Sequence, residues 1–124
     1  MLKIHIKNLG AVAILCLQGR MVRGETEALR SVVLSQSRIS ALILDLAEVS
    51  TIDAGGLGVM LELRELTQSK GIDFKLMNVT KLVNWVLEIT RLDSVFEVAS
   101  ETDLLSAASR KRRPVYSMAL AHCA

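Results

Sequence analysis

The segment Ala41-Leu42-Ile43-Leu44-Asp45-Leu46 is almost continuously apolar at strand length rather than helix length. Such a run fits a strand covered on both faces, and sheets covered on both faces are built mostly from parallel strands joined by helices. The flanking sequence supplies those helices. Before the run, Ala28, Leu29, Val32 and Val33 recur at helical spacing through roughly 24–36, with Glu25 and Glu27 in a first turn where the helix dipole favours acids. After it, Ser50-Thr51-Ile52-Asp53-Ala54-Gly55-Gly56 forms a polar, glycine-rich elbow into a helix from about Gly56 to Ser69, stopped at Gly71.

The rest of the chain repeats the alternation. Ile72 to Val79 is strand-like, residues 81–92 form a helix behind Thr80, Val95 to Ala99 is a short strand, and Ser100-Glu101-Thr102-Asp103 caps a last helix of roughly 101–109. At the other end Leu2, Ile4 and Ile6 alternate with Lys3, His5 and Lys7, the period of a half-buried strand with a wet face. The turn Asn8-Leu9-Gly10 then joins it to the apolar run Ala11 to Leu17 as a hairpin. The order ββαβαβαβα implies one α/β domain: a mixed, mostly parallel sheet of about five strands, with an N-terminal hairpin and four helices.

Composition places the domain boundary. The 124 residues suit one domain, and 51% hydrophobic with only 3% aromatic residues means an aliphatic core. The formal charge of +2 divides unevenly: residues 1–109 hold 11 Lys and Arg against 13 Asp and Glu, while 110–124 carry +4 from Arg110-Lys111-Arg112-Arg113. The domain is therefore 1–109 and slightly acidic, followed by a tail, 110–124, that is basic and then apolar. A solvated tail explains four basic residues without interleaved aromatics, so no nucleic-acid surface is expected. Val115, Tyr116, Met118 and Leu120 are apolar enough to pack on the body or to make a homodimer. No stretch approaches the roughly 18 apolar residues of a membrane span, and the start is not a signal segment, so a cytoplasmic protein is expected. Cys16 and Cys123 make no disulfide framework.

Chemistry is sparse. His5, His122 and the two cysteines are scattered without metal-ligand spacing or a nucleophile–base pair, so neither metal, cofactor nor enzymatic activity is expected. The elbow lacks the lysine and hydroxyl of a phosphate-binding loop, although its place at a strand end and a helix start suits an anion as well as a tight turn. On the helix that follows, Val59, Met60, Leu63 and Leu66 form the arc facing the sheet. Leu57, Leu61, Arg64 and Gln68 fall together on the other side: a docking stripe, or ordinary surface leucines.

Leu42-Ile43-Leu44-Asp45-Leu46, Ile52-Asp53-Ala54-Gly55-Gly56-Leu57-Gly58 and Lys75-Leu76-Met77-Asn78-Val79 together resemble the STAS domain of bacterial anti-sigma factor antagonists. Leu17-Gln18-Gly19 and Leu92-Asp93-Ser94-Val95-Phe96 share in the resemblance, which spans residues 1 to about 109. It implies a non-catalytic regulator that binds an anti-sigma factor or related kinase-like protein through Asp53, Ala54, Gly55, Gly56, Leu57, Leu61 and Arg64. In that family the elbow reads D-S-S-G-L-G, and the partner kinase phosphorylates the second serine. Here Ala54 and Gly55 hold the two serine positions, and Val22 stands where many relatives carry an acid. Three consequences compete: unregulated partner binding, displaced phosphoacceptors at Ser50 or Thr51, or a scaffold answering to another partner. The alternative function is an anion- or nucleotide-binding scaffold or sensor subunit, with Asp53 as its acid or base.

Overall fold

The computed structural model of the chain describes residues 2–99. Five strands and three helices follow one another as β1 (Lys3–Leu9), β2 (Val12–Met21), α1 (Glu27–Ser35), β3 (Ala41–Ile52), α2 (Ala54–Ser69), β4 (Asp73–Met77), α3 (Lys81–Ile89) and β5 (Glu97–Val98). The sheet order is β1-β2-β3-β4-β5, with β1 antiparallel to β2 and every later pair parallel. This is the single mixed α/β sheet with an N-terminal hairpin that the pattern implies. The fourth expected helix, 101–109, and the tail, 110–124, lie outside the described residues.

Three boundaries differ from expectation for identifiable reasons. α1 starts at Glu27 because Gly24 sits at φ +91°, a left-handed conformation that no helix can include. β2 does not stop at Leu17: it continues to Met21, pairing Arg20 with Thr51 and Met21 with Ile52, and the pairing register shifts on either side of Gly19. β3 accordingly reaches Ile52, so Ser50 and Thr51 belong to the strand, and the turn proper begins at Asp53. α3 is capped as Thr80 predicts, the Thr80 hydroxyl accepting from the Val83 amide at 3.2 Å.

Because each parallel strand is added beside the last in one direction, right-handed crossovers must send every helix to the same face. The packing agrees. Ala13, Leu15, Leu17, Leu42, Leu44, Leu46 and Leu76 of the strands share one core with Leu29 and Val33 of α1, Met60 and Leu63 of α2, and Val83 and Leu87 of α3. The opposite face carries a smaller cluster that includes Val12, Ile14, Ile43 and Met77. Cys16 joins this second cluster and is not a free thiol, against the expectation that no disulfide forms; Cys123 lies outside the described residues.

Candidate functional site

The site is built where two parallel strands end side by side. β2 and β3 are neighbours running the same way, so the loop after β2 and the elbow after β3 leave the same end of the sheet and meet there. Asp53 joins them. Its Oδ1 accepts from the Gly56 amide at 2.9 Å, capping α2, and its two carboxylate oxygens accept from the Arg23 amide at 3.1 and 3.2 Å. The Asp53 amide also donates to the Met21 carbonyl at 3.4 Å. One side chain thus ties the helix start to a loop thirty residues earlier.

Two glycines make that junction sterically possible. A Cβ on Gly56 would stand 2.0 Å from the Met21 carbonyl oxygen, and one on Gly55 would stand 2.7 Å from Arg23 Cβ and 3.0 Å from its Cα. Both positions therefore hold close backbone approaches, whereas a Cβ on Gly58 meets nothing within 4 Å. Asp53, Ala54 and Gly58 are exposed, as are Arg23 and Gly24 of the adjoining loop; Gly55 is half-buried and Gly56 buried.

The electrostatics suit a structural carboxylate. Backbone hydrogen bonds from Gly56 first and Arg23 second hold the Asp53 carboxyl below the usual carboxylate range. A group stabilised as an anion is a weak base and is not a reservoir of protons at neutral pH, so Asp53 is poorly suited to acid–base catalysis. It also places a negative charge at the α2 N-terminus, where a phosphate would otherwise lie. Among the described residues, no three His, Cys, Asp or Glu side chains are grouped to hold a metal ion.

Ser50 is exposed, its hydroxyl donating to the Gly19 carbonyl at 3.2 Å, and Thr51 is half-buried in the β2–β3 ladder. The exposed leucine stripe is corrected. Leu57 is buried, and Leu61 packs half-buried against the same core as Leu29 and Val33 of α1. Helical projection treats the sheet as the only neighbour, but α1 lies beside α2, tied to it by Arg30 Nε donating to Glu62 Oε2 at 2.5 Å. Arg64 is half-buried and only Gln68 of that stripe is exposed. The exposed apolar stripe lies on α3 instead, as Leu82, Trp85 and Ile89. Arg23, in the loop after β2, is the residue beside the elbow that sequence spacing missed; the pair of adjacent glycines at 55 and 56 was its available signal, since glycine doublets mark close backbone approach.

Two outcomes follow. Asp53→Ala should melt below the wild type at neutral pH; because the folded-state carboxyl is depressed, the gap should be full above the ordinary value of 3.8 and close as pH falls through the lower folded value, as read by thermal melts across pH. Gly56→Ala should destabilise strongly and Gly55→Ala less, whereas Gly58→Ala should stabilise by about 0.5–1 kcal/mol in urea titrations, its methyl having free space in a helix interior.

Comparison with known proteins agrees with this architecture. The fold is similar to that of the anti-sigma factor antagonist SpoIIAA in its unphosphorylated form, with a TM-score of 0.68 at 19% identity over 91% of this chain and 99% of that one. An anti-sigma factor antagonist from Mycobacterium paratuberculosis gives 0.68 at 20% identity over 88% and 95% of the two chains. A sulfate transporter family protein from Wolinella succinogenes gives 0.68 at 20% over 84% and 90%. The family model for the STAS domain matches residues 3–104, and the chain belongs to the STAS domain family.

Proposed function

We propose that this chain is a non-catalytic protein-binding domain, an anti-sigma factor antagonist or a related partner-switching regulator, acting in the cytoplasm on an anti-sigma factor or similar kinase-like protein. Its elbow docks the partner without control by phosphorylation at residue 55. The observation that carries this reading is the space at Gly55: no hydroxyl is present, and the Arg23 backbone and Cβ crowd the place where a side chain would begin. The solved neighbour SpoIIAA, named an anti-sigma factor antagonist in its unphosphorylated form and a Bacillus cell fate determinant in its phosphorylated form, supports the regulatory class.

The partner-binding residues divide by burial. Asp53 and Ala54 offer exposed atoms at the helix start, with Gly55 half-buried between them and the core. Gly56 and Leu57 act from beneath, by fixing the turn and anchoring α2, while Leu61 and Arg64 form its half-buried flank. A phosphoryl group would bring about −1.5 to −2 charges to such a helix start and change its docking, so a surface without an acceptor remains in its binding-competent form. The nucleotide-binding alternative is opposed by Asp53, whose carboxylate already occupies the amides an anion would need.

Incubation with the kinase-like partner and ATP should leave the complex intact and residues 50–58 without added phosphate by peptide mass spectrometry; stoichiometric phosphate on Ser50 or Thr51 overturns the unregulated reading. Ala54→Glu places a charge on an exposed first-turn position where the helix dipole tolerates it. It should keep the melting temperature and weaken partner binding by about tenfold, or ~1.4 kcal/mol, in calorimetry. Unchanged affinity would remove the elbow from the interface.

A further inference from the structure

The apolar stripe of α3 points directly away from the sheet. At 100° per residue Val83 and Leu87, both buried in the core, lie opposite Trp85. Trp85 is 57% exposed, and Leu82 and Ile89 on one side of it are 44% and 59% exposed. The core is already supplied by the other side of the helix, so the ring adds nothing to folding there. Large aromatic side chains left in water among aliphatic ones are characteristic of contact surfaces.

The charges of α3 run against its dipole. Lys81 stands in the first turn, where the dipole favours acids, and Glu88 in the last, where it favours bases; the first turn holds no acid and the last turn no base. The ion pairs found among the described residues join Arg30 to Glu27 and Glu62, and Lys75 to Glu97, so neither charge of α3 is balanced by them. Glu88 accepts from Asn84 Nδ2 at 2.8 Å, an uncharged donor. Lys81 and Glu88 are seven positions apart and therefore nearly in line, on the flank of the stripe opposite Leu82 and Ile89 and within about 60° of Trp85.

We propose that α3 is the contact between two copies of this chain, packed antiparallel about a two-fold axis. Such an axis brings each flank against its own counterpart with the direction reversed. Lys81 then meets Glu88 of the second copy, Glu88 meets its Lys81, Trp85 meets Trp85, and Leu82 lies beside Ile89. Each helix start receives an acid and each helix end a base, so the second copy offsets both charges that the dipole disfavours. Parallel packing about a two-fold axis would instead set the charged flank against Leu82 and Ile89. Because α3 joins β4 to β5, towards the sheet edge away from the β2–β3 junction, the pair carries two uncovered elbows.

A nine-residue helix is about 14 Å long and covers less than the ~800 Å² per partner of a standard interface, so the dimer is weak and depends on concentration. Sedimentation equilibrium of the full chain, from micromolar to millimolar concentration, should show the mass rising towards that of a dimer. The emission of Trp85, the only tryptophan, should shift to the blue over the same range. A monomer at every concentration overturns the proposal, and so does a dimer that leaves the Trp85 emission unmoved, because its contact lies elsewhere. Lys81→Glu and Glu88→Lys should each weaken self-association by about tenfold, since each turns two attractive pairs into repulsive ones. An equimolar mixture of the two variants should pair as well as the unsubstituted chain, and a mixture that stays monomeric overturns the antiparallel arrangement. Both positions are exposed and both substitutions suit the helix dipole, so thermal melts of the dilute variants should not fall, which separates lost pairing from lost folding.

Discussion

The close approach of the end of β2 to the start of α2 is the constraint on which the candidate site depends. The Met21 carbonyl lies so near the helix start that a Cβ at residue 56 would stand 2.0 Å from its oxygen. Backbone packed that tightly leaves polar groups that must be paired, and Asp53 pairs them by accepting from both sides of the junction. The loop after β2 and the elbow therefore behave as one surface. Their exposed atoms, on Arg23, Gly24, Asp53 and Ala54, come from two chain segments held in register by the parallel β2–β3 ladder.

The residues at positions 54 and 55 acquire a structural meaning from this junction. At position 54 the side chain is exposed, and alanine simply lacks a hydroxyl. At position 55 the loop after β2 comes close enough for Arg23 to stand where the next side chain would begin. The missing side chain and the close packing of the loop are thus one arrangement at residue 55, since a glycine vacates the volume that the Arg23 backbone approaches.

Helix placement shows why some residues were readable and others were not. The apolar run in β3, the Thr80 cap and the strand over Leu2 to Lys7 reflect local rules of burial and hydrogen bonding and appear where those rules put them, except that on this edge strand Ile6 is exposed and Lys7 half-buried, against the alternation. Leu57 and Leu61 depended on a neighbour that periodicity does not contain. A projection along α2 separates a sheet-facing arc from the rest, but α1 covers part of the remainder, so the apparent surface leucines are core. The α3 stripe of Leu82, Trp85 and Ile89 is the converse case, since no described helix packs on its outer side.

By itself the sequence determined the class of the fold, the order of its strands and helices through residue 99, and the location of the elbow, because period, caps and glycine doublets are properties of near neighbours along the chain. Only the tertiary structure decided that β2 and β3 both run on beyond their apolar cores, that Ser50 and Thr51 lie in a strand, and that Arg23 meets Asp53 across thirty positions. Those outcomes rest on strand register and on the common exit of parallel neighbours, and register is set by pairing between segments rather than by the composition of either one.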